Sequence, residues 1–469
     1  LETELKYHPA AVGLSFPLGQ AYMDLKRYEE AVRHLETAYR HRPDDSFVCF
    51  ALAKAYTSSF QTGLISADEY VAGVEPAVAN AMRIDPLQAA AHTQQAVVQW
   101  VRGDLEGAQQ SFEQALAIDD RDSVAVGEYA YFLRNFGRPE EAIPHVMRAL
   151  ENDPLSTELL FQLGKAHMHA GRPERFLELM ARIREIDPSV INGYNGTMQA
   201  YLWLGEIDQA VQWFIKSIAF DPLDHENWAH MAVNLDGLGD PIAADRALQR
   251  ASEIGPDEPA VLKCQVMVLL ARGEVAAATE IAERALAANL DDRWSSDWVF
   301  MRTLRDAALA ADNIDSVLDM YRDRVPQAFE PNPVITPATF GYAMDAILLL
   351  QYSGNDEQAD KLIATLLEVY DRLNPNQARG YTAAISDVEL LALAGETDNA
   401  LMRLQEAFDS GWFVSWQYAV NGRNLDNIKD RPEYRSIVAQ FDAKAAEQSA
   451  RWHATPHLGE HDLRDVTAD

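Results

Sequence analysis

The sequence predicts an all-α fold, a right-handed superhelical solenoid of about eleven helix-turn-helix repeats closed by a C-terminal capping helix. Three observations predict it. Gly103, Gly137, Gly171, Gly205, Gly239 and Gly273 recur every 34 residues without a slip. In the same register run Pro86, Asp120, Pro154, Pro188, Pro222 and Pro256, and between the two ladders falls a small apolar slot, Ala108, Ala142, Phe176, Ala210, Ala244 and Ala278, broken only by Phe176. No segment reads convincingly as a strand. A fixed period between about 20 and 50 residues marks stacked repeats, each burying its apolar face on its neighbours, so a chain of 469 residues needs no single central core.

Composition is globular, with 48% hydrophobic and 24% charged residues. The formal charge of −32, spread over both halves, speaks against a nucleic-acid partner for this segment, because phosphate neutralisation needs clustered Lys and Arg. Cys49 and Cys264 fall in different repeats, so neither a disulfide framework nor a redox pair is expected, and both read as buried thiols. The longest apolar run, Tyr342 to Leu350, contains Asp345 and is too short to span a bilayer. A soluble chain is expected, cytoplasmic, or exported if a signal peptide was removed ahead of Leu1.

The elements follow in order. A regular array of about eight repeats is expected over residues 1–290. The first repeat, Val12 to Asp45, carries Leu18, Gly19 and Tyr22, then Tyr28, Ala31, Leu35, Ala38 and Pro43. The second runs long around Ser58 to Glu69, as an elongated helix pair or an inserted loop. Repeats three to eight follow to Leu290, with turns such as Phe136-Gly137-Arg138-Pro139, where Gly reaches positive φ and Pro opens the next helix. Residues 291–410 read as degenerate repeats. There Trp294 to Pro326 is one pair, with Asp312-Asn313 at the glycine position, and the proline-rich Phe329 to Pro337 is an irregular connection and candidate hinge. Gly354 and Gly395 then mark repeats ten and eleven. Residues 411–452 read as a C-terminal capping segment and 453–469 as a disordered tail.

The spacing Leu18-Gly19-x2-Tyr22…Ala31-x3-Leu35…Pro43 resembles the tetratricopeptide repeat, with Leu in the usual Phe slot. The resemblance runs over roughly Val12 to Phe408. The long second repeat, Glu151-Asn152-Asp153-Pro154-Leu155-Ser156, and the ending Asn424-Leu425-Asp426…Asp430-Arg431-Pro432-Glu433-Tyr434 are similar to the repeat portions of bacterial winged-helix regulators and class III adenylate cyclases. That resemblance implies a sensory or regulatory portion of a larger signalling or transcription-regulating protein.

In this family the first helix of each repeat lines the concave face. The register then points Tyr131, Arg134 and Asn135, Phe161, Lys165, Met168 and His169, and Asn195, Gln199 and Trp203 toward a bound partner. Cations, amides and rings of this kind suit an extended peptide, with Asn bonding its backbone and Arg134 or Lys165 meeting a carboxylate. The family's lysine-asparagine clamp for chaperone C-termini is not reproduced, since Lys165 stands where that clamp has Asn and Phe161 where it has Lys. The expected function is a scaffold holding a peptide or protein segment in its concave groove, with self-association as a further alternative.

No catalytic motif is seen, so an enzyme is not expected; a hydrolase or metal-dependent activity is the remaining alternative. No metal or other cofactor is expected: His167 and His169 point to different faces of a helix, and Pro456 and Gly459 interrupt the spacing of His453, His457 and His461.

Overall fold

A computed structural model describes residues 12–25, 27–61, 64–288, 296–336, 339–373 and 385–454. Trp294, Pro337, His457 and His461 therefore lie outside the described residues, as does the tail beyond Ala454. The described residues contain α-helices and short 3-10 turns but no strand. No helix among them is long and apolar enough to cross a membrane.

Among the described residues, eleven helix pairs succeed one another. Pairs one to four are α1 (Ser15–Asp24) and α2 (Tyr28–His41), α3 (Ser46–Gln61) and α4 (Ala67–Ile84), α5 (Ala89–Val101) and α6 (Leu105–Ile118), and α7 (Ser123–Asn135) and α8 (Pro139–Asn152). Pairs five to eight are α9 (Thr157–His169) and α10 (Pro173–Ile186), α11 (Asn192–Trp203) and α12 (Ile207–Ile218), α13 (His225–Gly237) and α14 (Pro241–Ile254), and α15 (Pro259–Ala271) and α16 (Val275–Ala287). The last three are α17 (Ser296–Ala310) and α18 (Asp315–Arg324), α19 (Phe340–Tyr352) and α20 (Asp356–Leu373), and α21 (Ser386–Leu393) and α22 (Thr397–Asp409). Beyond them come α23 (Trp416–Val420), α24 (Asp426–Lys429) and the 23-residue α25 (Pro432–Ala454). Two compact units divide the chain, residues 1–166 and 167–469, with the boundary inside α9.

The ladder has a backbone cause. All six glycines sit at positive φ, between 68° and 82°, where the chain leaves the first helix of a pair and turns into the second. Gly354 and Gly395 repeat this at 75° and 77°, and Asp312 takes the position at 54°, as its tolerance of the left-handed region allows. The small slot is fully buried at all six positions. Phe176 fits there because Gly196 on α11 faces it; an added Cβ at Gly196 would lie 3.1 Å from the Phe176 ring and run into Met180.

Repeat two absorbs its surplus residues in its helices, α3 having 16 residues and α4 having 18. Ser66 and Glu69 cap α4 reciprocally: the Ser66 hydroxyl accepts from the Glu69 amide at 3.2 Å, and the Glu69 carboxylate accepts from the Ser66 amide at 2.7 Å. Cys49 and Cys264 are buried, and burial raises their thiols to about 11 and about 12, so both remain protonated at neutral pH. The connection after α18 is irregular but anchored: Ile335 is buried, and Gln358 Nε2 donates to the Phe329 carbonyl at 2.5 Å.

Within residues 167–469 the terminal segment does more than cover the last repeat. Trp412, Phe413, Trp416, Ile437, Phe441 and Trp452 enter one core with Leu202, Val211, Phe214, Leu235 and Leu238 of repeats six and seven. Tyr418 packs against the core of α15 to α17. A simple array in which each repeat touches only its neighbours does not describe this unit. Its C-terminal end returns to repeats far earlier in the chain, as in the bond from Gln448 Nε2 to the Gly205 carbonyl at 2.6 Å, 243 residues back.

Candidate functional site

The residues expected to face a partner divide between the two units. In residues 1–166 the first helices α7 and α9 carry Tyr131, Arg134, Asn135, Phe161 and Lys165. Tyr131 is 39% exposed and meets Trp100 of α5 edge-on at 5.3 Å. Trp100 occupies the Arg134 register one period earlier, a signal that would have added it to the expected set.

Arg134 departs from a solvated inner face. It is 7% exposed, its Nη1 donates to Gln162 Oε1 at 2.7 Å, and its guanidinium lies over the Tyr131 ring at 5.4 Å. Gln162 in turn donates to Glu158 at 2.8 Å. A side chain that reaches from α7 across to α9 is covered by both helices. Asn135 is also committed, its amide donating to its own helix at the Tyr131 carbonyl, 2.8 Å away. Lys165 is half-buried with its ammonium 5.7 Å from the Phe161 ring.

Electrostatics single out the two cations. Burial lowers Arg134 to about 10, and burial together with the Arg134 charge lowers Lys165 to about 8. Holding Lys165 charged therefore opposes folding. Replacing Lys165 by methionine is expected to raise stability by about 1–2 kcal/mol at pH 7, after discounting for its partial exposure. The sign with pH follows from linkage: the penalty is full below pH 8, where both states are protonated, and fades toward 10.5 as only the folded state loses its proton. Thermal melts at pH 7 and pH 10 should show the gap between variant and wild type narrowing.

In residues 167–469, His169, Gln199 and Trp203 are half-buried, and His169 lies 5.6 Å from the Trp203 ring in tilted geometry. Met168 is buried rather than presented. Asn195 corrects the expectation as well. Its carbonyl oxygen accepts from the Ser217 hydroxyl, which also accepts from Asn227 at 3.3 Å, so Asn195 ties α11 to α12 and α13. The register counted Asn195 onto the inner face, but a short amide beside a neighbouring hydroxyl satisfies itself locally.

The model of the tetratricopeptide repeat matches residues 1–46 and 132–191. Among solved structures, a tetratricopeptide repeat protein from Parabacteroides merdae is 17% identical, with a TM-score of 0.41 over 53% of this chain and 98% of that one. YrrB, a TPR protein with an unusual peptide-binding site, is 21% identical, with a TM-score of 0.28 over 41% and 94%. PilF of Pseudomonas aeruginosa is 18% identical, with a TM-score of 0.35 over 45% and 94%. The family match supports the repeat part of the resemblance over those two segments and does not extend it to winged-helix regulators or cyclases. The two matched segments are similar to tetratricopeptide repeats, and the register of positive-φ turns carries one helix-turn-helix unit through the described residues, which form an all-α array of successive helix pairs.

Proposed function

We propose that the chain holds an extended peptide segment of a partner protein on the first-helix face of repeats three to five, over Trp100, Tyr131, Arg134, Phe161 and Lys165. The observation that carries this reading is the pair of cations set against aromatic rings on neighbouring first helices, Arg134 over Tyr131 and Lys165 over Phe161. Titratable groups perturbed by burial cluster at functional sites. The rings supply area for side chains, and the cations suit a carboxylate. Tyr131, exposed and backed by Trp100, is the natural anchor.

Peptides selected from a random library on the immobilised chain test the reading. Selected sequences should bind with micromolar affinity and lose about tenfold or more in Tyr131→Ala and in Lys165→Met. Neither variant should melt lower by more than a few degrees, because Tyr131 is exposed and Lys165→Met relieves burial of a charge. Peptides that bind both variants as well as wild type would remove this site.

A further inference from the structure

A second cationic surface stands on the other helices of the pairs, in residues 167–469, and the reading above does not use it. Arg184 of α10 and Lys216 of α12 converge on one indole: the Arg184 guanidinium lies 4.4 Å from the centre of Trp213 and the Lys216 ammonium 3.8 Å. Arg184 is fixed by donation to the Gly193 carbonyl at 2.6 Å and to the Thr197 hydroxyl, and it also lies 5.8 Å from the Tyr194 ring. Phe220, 42% exposed, packs 4.6 Å from Tyr194, and Leu223 in the following turn is 65% exposed.

Charge sets this cluster apart. The chain carries 72 acidic and 40 basic residues, so a surface cation readily finds a carboxylate, as Arg175, Arg250, Arg272, Arg403 and Arg451 do. Among the described residues neither Arg184 nor Lys216 does. Burial lowers both, and the Arg184 charge lowers Lys216 further. Two like charges are thus held against one ring, and among the described residues neither makes an ion pair with a carboxylate, Glu185 acting on Arg184 only as a weaker charge nearby. An anion between them would relieve their repulsion at a partly desolvated surface, where a charge-assisted bond is strong. Phe220, packed on Tyr194, and Leu223 in the turn that follows are both exposed and give a peptide more to bury than a free ion could.

We propose that Arg184, Trp213 and Lys216 form a docking point for an acidic segment of a partner protein, with one Glu or Asp carboxylate against both cations and adjoining apolar side chains against Phe220 and Leu223. Attraction here is local, since the chain as a whole repels acidic peptides. Binding should therefore persist at physiological salt, where the Debye length is about 8 Å.

A fluorescein-labelled peptide alternating Glu and Leu, titrated with the full chain at physiological salt, tests this by anisotropy. Saturable binding is expected, weakened about tenfold or more by Lys216→Glu and by Trp213→Leu and unchanged by Lys165→Met. Lys216 is exposed, so its variant should retain the wild-type circular dichroism and melt. Absence of saturable binding, or equal binding by Lys216→Glu, would overturn the proposal. Displacement by millimolar inorganic phosphate would reduce the cluster to a simple anion site and overturn the peptide assignment. Because Tyr131→Ala and Lys165→Met report only on the first surface, failure of either surface leaves the other standing.

Discussion

Replacing Asp345 by alanine is expected to cost residues 167–469 about 3–5 kcal/mol, the largest effect of any single substitution proposed for this chain. The Asp345 side chain is fully buried on α19 and accepts from Arg302 Nη2 at 2.6 Å, Arg305 Nη1 at 2.8 Å and Tyr321 Oη at 3.2 Å. Arg302 also donates to both Glu389 oxygens, at 2.8 and 3.0 Å, and Arg305 to Asn424 Oδ1 at 2.9 Å. One carboxylate thereby joins α17, α18, α19 and the terminal segment, and Arg302 adds α21. Burial alone would raise Asp345, but the two guanidiniums outweigh it and hold the carboxyl below its ordinary value.

Removing Asp345 leaves Arg302 with Glu389 and Arg305 with Asp306, but it takes away the buried acceptor that Arg302, Arg305 and the Tyr321 hydroxyl share, which is why the expected loss exceeds that of any exposed pair. Urea unfolding followed by circular dichroism checks it. With its carboxyl held below the unfolded value, Asp345 contributes fully above about pH 4 and less as pH falls through its folded value, so wild type and variant should converge in acid. A loss below about 1 kcal/mol at pH 7 would show that the network is dispensable. Replacing Arg302, Asp345 and Glu389 together by apolar residues should cost less than Asp345→Ala, since no charge is then stranded in that pair of bridges.

This network also explains where the sequence stopped being legible. Through Gly273 the turns are local events: a positive φ after a helix needs Gly wherever it occurs, and the period follows. Asp312 could be read for the same reason. Beyond Leu290 part of the packing is replaced by ion pairs between Arg302, Asp345 and Glu389, residues 43 to 87 positions apart, which no 34-residue period encodes. Asp345 was visible only as a charge spoiling an apolar run. The candidate site divides in the same way. Register alone picked out Tyr131, Arg134 and Lys165, because a helix face is periodic. It could not show that Asn195 is taken by Ser217, that Asn135 bonds its own helix, or that Gln162 holds Arg134, since each depends on a side-chain partner rather than on a face.

Gly205→Ala is expected to cost about 3 kcal/mol or more, against about 1 kcal/mol for Gly171→Ala, although the two are indistinguishable in the ladder. Both have positive φ, 68° and 76°, so alanine is strained at either. Around Gly171 an added Cβ meets nothing within 4 Å, and the backbone strain is the whole cost. At Gly205 it would run into the Gly411 carbonyl oxygen and lie 2.9 Å from Lys444 Nζ and 3.0 Å from Phe413 Cβ. Backbone cannot step aside there without lifting the terminal segment. That movement would break a second set of bonds, because α12 has no side-chain cap of its own and Gln448 supplies one. Its carbonyl oxygen accepts from the Ile207 amide at 2.7 Å and the Asp208 amide at 3.3 Å, satisfying helix N-terminal donors from 240 residues away. Asp208, nearly fully buried, would lose Arg451 as well, now at 2.9 Å. Hydrogen exchange should therefore speed up at the Ile207 and Asp208 amides and across α25 in Gly205→Ala, and at neither place in Gly171→Ala. Equal losses of stability with no change in α25 exchange would mean that the terminal segment does not hold repeat six. A difference of about 2 kcal/mol or more between two glycines of one ladder would measure the seating of the C-terminal helix, beyond the strain the turn imposes at both.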